Sequence, residues 1–591
     1  GLLLRRQALY PLSYGRGSRT CAARTIVPAS GASGAVGRRW TRRGYRGAQL
    51  ASAAGVSRMR KLIGVGAALA AAAVLSPAAH AASPARPAVL PMVLPSDGAV
   101  RAASAEPARW LVGARRGDRS ATIARRFGAR GLRVDGAYAV PRGRARAFAT
   151  ALRRAGVLSY AEPDARFQRR SALDADPGAW GRGAVVPPTL PPPAAQVSVG
   201  IADDFVDKAH PDVGPQTRWV NTGPGAVLGA HGTQVGSAVS GLANGAGVQG
   251  VFPGVPLLSY GFGTDITCGE AATAVLTLVE QKASIINLSF GSATECFTLY
   301  RAVQAAYGAG TLVIAAGGNE FLQGNLPSFP AAWPHVVSVA ALQQSLQPAF
   351  FSSANAAIDV AAPGAALPLA VPVALDTDGT PDGVMVDNGT SFAAPMVAGA
   401  AAWLWSVRRD LSNGQVADVL RASAQDVGEP GYDPQTGFGL VNLPSALASR
   451  TPADDPLEPN DEITFIDGTS FQQPDPYVWR GFPRRALRAF VDTVEDPVDV
   501  YRIQVPARRQ ARVVLGTTFG DADLFVYRGN ARRLGSRPVA RSERNGRATD
   551  ALTLTNRTGQ ASRFYVAVAP ASRTTLNSSY TLQFRRLGRA G

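Results

Sequence analysis

The rhythm of apolar and polar positions changes along the chain and divides it into three textures. Between residues 108 and 167 short apolar runs alternate with amphipathic stretches. Arg109-Trp-Leu-Val-Gly opens as a strand, residues 121–127 and 142–155 repeat apolar positions at helical spacing, and Leu158-Ser-Tyr-Ala-Glu-Pro-Asp164 closes the segment. Pro187 to Pro193 is a proline-rich linker. From Val197 to about Leu447 continuous apolar runs of strand length alternate with helices of small residues. Strands with no polar face are buried on both sides, so this texture predicts an α/β domain with a mainly parallel sheet and functional residues at strand ends. Residues 451–460 are rich in Pro and acid and mark a boundary. Beyond them short alternating runs such as Val498-Asp-Val-Tyr-Arg-Ile-Gln-Val and Phe564-Tyr-Val-Ala-Val, separated by turn residues, predict an all-β sandwich.

Several of these predicted strand and helix ends carry candidate chemistry. In Asn388-Gly-Thr-Ser-Phe-Ala-Ala-Pro-Met-Val-Ala-Gly399 one serine, Ser391, lies two residues after a glycine and opens a small, apolar helical run. A serine hydroxyl is a poor nucleophile unless a base takes its proton, and a helix that starts at the serine points its positive end at developing negative charge. Taken alone, Gly-Thr-Ser is an ordinary turn. The chain has four histidines. His80 lies in an Ala-rich N-terminal segment, His335 precedes an apolar strand, His210 belongs to a His-Pro-Asp loop, and His231 opens His-Gly-Thr-Gln-Val-Gly-Ser-Ala, a glycine-flanked helix start. The run Val197-Ser-Val-Gly-Ile-Ala-Asp203-Asp204-Phe205 reads as a strand ending in acids, and Thr311-Leu-Val-Ile-Ala-Ala-Gly-Gly-Asn319 as a strand ending in glycines and an asparagine.

Together these strings resemble the four motifs of subtilisin-like serine proteases, in the family's order. The resemblance implies Ser391 as nucleophile, His231 as base, Asn319 as oxyanion donor, and Asp203 or Asp204 as the acid that orients the histidine. The offset to the His210-Pro211 pair favours Asp203. Where the family usually has a small residue and a glycine after that acid, this chain has Asp204 and Phe205. The resemblance further places substrate backbone against Ser289-Phe290-Gly291, with Ala316-Gly317-Gly318 as the opposite wall of the first pocket and Ser328 at its base. Small residues there imply an open pocket that accepts large apolar side chains before the cleaved bond.

Composition and charge change the picture in two places. The net charge of +19 suggests a polyanion partner, but its distribution does not: residues 1–61 carry +13, 62–170 carry +12, 171–450 carry −12 and 451–591 carry +6. The basic excess lies mostly outside the expected catalytic domain, so no nucleic-acid partner is needed. Met59-Arg-Lys followed by an apolar run to Leu75 and then Ala79-His-Ala81 reads as a secretory signal over residues 59–81, which implies a secreted, extracellular protein without a stable membrane anchor. Residues 1–58 hold no acid and are expected to be a non-native leader upstream of that signal.

Two cysteines, Cys268 and Cys296, follow the signal. They flank a helix and strand that can return the chain close to its start, so a disulfide between them is expected in an oxidising compartment. Asp376-Thr-Asp378-Gly-Thr-Pro-Asp382 has spacing that could suit calcium, although an ordinary turn is the simpler reading. A structural calcium is the one cofactor left open, and none is required for catalysis; no metal ligands are assigned.

Residues 108–170 resemble the family's inhibitory prodomain, which assists folding and blocks the cleft. Residues 185–450 are the expected peptidase domain. Residues 451–591, with Leu457-Glu-Pro-Asn-Asp461 and Asp521-Ala-Asp523, resemble the bacterial prepeptidase C-terminal domain. The expectation is a monomeric, self-processing serine endopeptidase whose partners are protein or peptide substrates and its own prodomain. The rival is an inactive subtilisin-like binding or adhesion protein.

Overall fold

Seven parallel strands form the central sheet, in the order Val360–Pro363, Val336–Leu342, Leu312–Ala316, Ile285–Leu288, Val199–Asp203, Leu257–Gly261 and Thr217–Trp219. The computed structural model describes residues 108–115, 117–169, 180–221, 228–245, 247–263, 265–455, 457–467, 477–492, 496–571 and 577–590. The expected leader (1–58) and signal (59–81) lie outside them.

The inner strands are Val-, Ile-, Leu- and Ala-rich and buried along their whole length, because helices cover both faces. The helix Thr390–Val407 packs directly against four of them. Among the described residues it is the one helix long and apolar enough to cross a membrane, and here it is a core helix, 94% buried over its apolar window. A shorter helix, Trp180–Val185, stands before the proline linker. It packs on the same core, with Trp180 Nε1–H donating to Ala365 O at 3.2 Å and Arg182 Nε–H to Gly250 O at 3.0 Å. The apolar pattern, which placed the start of this domain at residue 185, does not reveal that helix.

Residues 108–169 form a four-stranded antiparallel sheet, in the order Arg130–Gly131, Ala137–Pro141, Arg109–Ala114 and Leu158–Pro163, with the helices Asp118–Phe127 and Arg142–Arg154. The first helix begins three residues before its apolar pattern does, because polar Asp118, Arg119 and Ser120 complete its opening turn. Trp110, Val112, Phe148 and Leu152 fill the space between sheet and helices. Leu111, Val134 and Ala137 join Ala272 and Val275 in one apolar cluster with the large domain.

The C-terminal region is a sandwich of a five-stranded and a four-stranded sheet. Its pairings are antiparallel except that Tyr477–Trp479 runs parallel to Asp499–Val505. Trp479, Tyr501, Leu582 and Phe584 lie at its centre.

Candidate active site

Asp203 is the last residue of a central strand, and His231 is the second residue of the helix Ala230–Ser240. The imidazole Nδ1 lies 2.8 Å from Asp203 Oδ1 and 2.9 Å from Oδ2. An N–H at Nδ1 directed to a carboxylate leaves Nε2 as the basic nitrogen. Asp204 faces elsewhere. Its backbone N–H donates to Asp203 Oδ1 at 2.7 Å, and its carboxylate sits where a side chain at Gly229 would be, 2.0 Å from that Cβ position. Of the two acids, Asp203 is the one that meets the imidazole.

Phe205 does not disturb this loop. Its ring stacks on Trp219, with centroids 4.4 Å apart and planes 24° apart. The space for it comes from Gly261 on the neighbouring strand, where a Cβ would approach the Phe205 ring to 2.6 Å. A glycine missing from the acid loop is thus matched by one across the sheet. Gly232, next to His231, is also required, since its Cβ would lie 2.1 Å from Asp204 O.

Ser391 is the second residue of the helix Thr390–Val407 and is fully buried. The ring of its neighbour Phe392 lies 5.5 Å from that of His231, which brings the two helices together at the histidine. Ser391 Oγ–H donates to Ser289 O at 3.1 Å, and Ser289 Oγ–H donates to Ser391 O at 2.7 Å. Asn287 Nδ2–H holds the Ser289 hydroxyl at 2.8 Å.

Asn319 is fixed by Thr390. Its Oδ1 accepts from Thr390 N–H at 3.0 Å and from Thr390 Oγ1–H at 2.8 Å, and Thr390 Oγ1 in turn accepts from Gly318 N–H at 3.2 Å. These donors fix which end of the amide is oxygen. Asn319 Nδ2 is buried and has no hydrogen-bond partner among the described residues. Gly318, with φ +113, could not carry a side chain: its Cβ would lie 2.7 Å from Glu320 Oε2. Gly317 likewise lets the chain pass close to the neighbouring strand Val336–Leu342, as its Cβ would lie 2.8 Å from Val339 O. Backbone bonds between Ser292 and Phe329, at 3.0 and 2.8 Å, bring Ser328 to the cleft strand, and a Cβ on Gly318 would lie 3.4 Å from Ser328 Cβ. Ala316, Gly317, Gly318, Ser328 and Ser289–Gly291 therefore gather around the Ser391 end of the helix.

The cleft strand is paired. Phe290–Gly291 runs antiparallel to Arg166–Arg169, with Phe290 opposite Arg169 and Gly291 opposite Gln168. The same segment pairs on its other edge with Ile266–Thr267. Upstream, two carboxylates of the small domain occupy helix N-termini of the large one. Glu162 accepts from the N–H groups of Phe297 and Thr298 at 2.5 and 2.8 Å and from Thr298 Oγ1–H at 2.7 Å. Asp164 accepts from Gly269 N–H at 2.9 Å and pairs with Arg109 at 3.1 Å. Burial outweighs the donors and pushes the Glu162 carboxyl up to about 7, and it raises that of Asp164 as well. Cys268 and Cys296 stand at the starts of these same two helices and are joined as a disulfide, Cα atoms 6.2 Å apart.

Other candidates fall outside this group. His210 holds a loop, its Nε2 3.0 Å from Gly383 O. Asp376, Asp378 and Asp382 each accept a nearby backbone N–H, which is turn geometry. Three residues at the site were missed in the sequence. Thr390 is the clamp on Asn319. Asp387, four residues before Ser391, accepts from Gln234 Nε2–H at 3.2 Å, and Gln234 lies three residues beyond His231. Burial holds the Asp387 carboxyl above the usual range, against the pull of the Asn388 N–H, Gln234 and His231. An acid so close before the serine was the available signal.

Residues 194–439 match the subtilase family. Subtilisin E of Bacillus subtilis (strain 168) is 33% identical over 43% of this chain, and the match spans 66% of that protein's length. Subtilisin of Bacillus pumilus is 32% identical over 43% of this chain and 91% of its own length. In overall fold the chain resembles fervidolysin from Fervidobacterium pennivorans, a keratinolytic enzyme related to subtilisin, with a TM-score of 0.52 at 17% identity over 80% of this chain and 92% of that one. With its acid, histidine, asparagine and serine on strand and helix ends of a seven-stranded parallel sheet, and with a Bacillus subtilisin matched over nine-tenths of its length, the chain belongs to the subtilase family.

Proposed function

We propose that the protein is a secreted serine endopeptidase made as a self-processing proenzyme. His231 Nε2 takes the Ser391 proton, Ser391 Oγ attacks the peptide carbonyl, and the C–N bond breaks as the imidazolium returns the proton to the leaving amine. Water, deprotonated by the same histidine, then releases the acyl group. Asp203 holds the imidazole and stabilises its charged form. Asn319 Nδ2–H and the Ser391 N–H bind the oxyanion.

One observation carries this reading over that of an inactive binding protein. A buried amide donor without a partner costs about 1–3 kcal/mol, yet Asn319 is clamped through its oxygen so that Nδ2 stays uncommitted. That arrangement is useless for binding through the sandwich and useful for an oxyanion that exists only during reaction.

Strand addition at Ser289–Gly291 would bind substrate backbone, and the glycine-walled pocket over Ser328 would take a large apolar side chain before the cleaved bond. Residues 166–169 already lie along that edge, which supports residues 108–170 as a cis inhibitor. The opposite net charges of the two regions favour their association. The test is expression from Met59 as wild type and as Ser391→Ala. Wild type should lose the small domain and hydrolyse casein, while the variant should do neither; equal processing in both would sink self-activation.

A further inference from the structure

The C-terminal region holds 21 arginines, no lysine and 15 acids over residues 451–591. Asp461, Asp492, Asp496, Asp499, Asp523 and Asp550 are buried, whereas Arg502 is the one buried arginine among the described residues of this region. The solvent-facing balance is therefore more basic than the sequence total of +6.

The arginines are not scattered. The four-stranded sheet of the sandwich sets Arg484–Asp492, Asn577–Arg589, Arg509–Phe519 and Asp550–Asn556 side by side as antiparallel neighbours. Side chains alternate between the two faces of a sheet. Tyr580, Leu582 and Phe584 point into the core together with Val513 and Leu515, so Thr581, Gln583, Arg585, Arg512 and Val514 point outward. The register then places Arg484 opposite Arg585, and Arg585 opposite Arg512, with Thr553 completing the row. All four are exposed. The next rows on this face are Ala486, Gln583, Val514 and Ala551, then Arg488, Thr581 and Gly516. None of the three rows holds an acid. At the far end of the face Phe490 and Asp492 border a cavity with Leu312 and Gln415 of the protease domain, so the arginine row lies at the free end.

Like charges directly opposite one another weaken a sheet, and no carboxylate relieves this row. Arg585 donates to the neutral Gln583 Oε1 at 3.0 Å, and Arg484 and Arg512 have no ion-pair partner among the described residues. Such a row suits a ligand that supplies the negative charge itself.

We propose that this face binds an acidic polysaccharide, a chain bearing carboxylate or sulfate groups at regular intervals, and so holds the protease on matrices that contain one. Neighbouring strands are about 4.8 Å apart, so the row offers one planar guanidinium per step across roughly 10 Å. Each fork can grip an oxyanion through two parallel N–H groups. Thr553, Thr581 and Gln583 stand among the arginines as partners for sugar hydroxyls. Single-stranded nucleic acid would call for aromatic side chains on which bases stack, and these rows hold none. A flat sheet face does not enter a duplex groove. An anionic membrane would call for large apolar side chains to insert, whereas the apolar members here are Ala486, Val514 and Ala551. Nothing in the proposal requires Ser391 to be reactive, so its failure leaves the proposed peptidase untouched.

The full chain with Ser391→Ala is titrated with heparin, which carries sulfates, and with alginate, which carries carboxylates alone, in rising sodium chloride. The expected result is binding to at least one of them that weakens with salt, and none to neutral dextran; the preferred polymer tells sulfate from carboxylate recognition. Arg484→Ser, Arg512→Ser and Arg585→Ser together should weaken binding at least about tenfold, and Lys at the same three positions should fall between. The same loss of charge from exposed arginines of the small domain, as Arg119→Ser, Arg126→Ser and Arg153→Ser, should weaken it far less. Protection of Arg484, Arg512 and Arg585 from phenylglyoxal by the bound polymer, read by mass spectrometry on the parent chain, locates the contact even where a triple variant does not fold. No binding by the parent, equal losses in the two Ser triples, or no protection of the row overturns the site. Tighter binding of single-stranded DNA, polyglutamate or phosphatidylglycerol vesicles than of either polysaccharide overturns the ligand class.

Discussion

Ser289 and Ser391 satisfy each other's backbones. Ser391 Oγ–H donates to Ser289 O, and Ser289 Oγ–H donates to Ser391 O. The second bond has a cause in the sequence. In a regular helix the Ser391 carbonyl would accept from the N–H of residue 395, which is Pro395 and has none. Ser289 therefore fills a gap that proline opens beneath Ser391. Ser289→Ala should leave a buried carbonyl without a donor and cost about 1–3 kcal/mol of stability; chemical denaturation of the Ser391→Ala background, with and without the change, measures it.

Asn319→Ala should lower kcat about 10²–10³-fold with KM nearly unchanged, because the donor acts on the transition state. Thr390→Val should fall between that variant and wild type, since it frees the amide to rotate without removing it. Steady-state kinetics on a chromogenic peptide separates the two.

The pairing of Phe205 with Gly261 can be tested by exchange. Gly261→Ala pushes a methyl into the Phe205 ring, next to Asp203, and should reduce both stability and kcat. Phe205→Gly in the same chain should restore activity in large part. No recovery in the double variant would show that the two positions are independent.

Docking of the small domain should depend on pH through Glu162. Its carboxyl is pushed up to about 7 in the docked state, from an ordinary 4.5. A carboxyl whose docked value is raised favours docking while it is protonated. That contribution is therefore complete below about 4.5 and is lost as pH rises through about 7. Hydrogen exchange at the Phe297 and Thr298 amides in Ser391→Ala should show weaker protection at pH 8 than at pH 5, and Glu162→Gln should flatten the difference.

The disulfide Cys268–Cys296 closes a loop of 28 residues between the two helix starts that Glu162 and Asp164 cap. Thiol counting in denaturant should find neither cysteine free, and Cys268→Ser with Cys296→Ser should cost about 2–4 kcal/mol.

The sheet, the sandwich and the serine, histidine and asparagine strings were legible in the sequence, because each is local: an apolar run, a glycine beside a polar residue, a helix start. What was not legible depends on distant partners. Asp203 and Asp204 are neighbours with the same chemistry; the offset to His210 favours Asp203 in the sequence, and its contact with His231, 28 residues away, separates the two in the structure. Phe205 looked like a defect because Gly261 compensates for it from another strand. Thr390 read as part of a turn until Asn319, 71 residues away, was seen to use it. The carboxylates where the sandwich meets the protease domain were invisible as a group, since Pro- and acid-rich sequence at a boundary ordinarily signals a solvated linker, whereas here Asp461, Asp496 and Asp499 are buried.

The most direct test of the catalytic assignment is covalent. The wild-type chain, processed to its active form, is treated with a fluorophosphonate and digested, and the adduct is located by mass spectrometry. A single adduct on Ser391, lost in His231→Ala and in parallel with peptidase activity, is the expected result. An unlabelled Ser391 in a preparation that still hydrolyses peptides would contradict it.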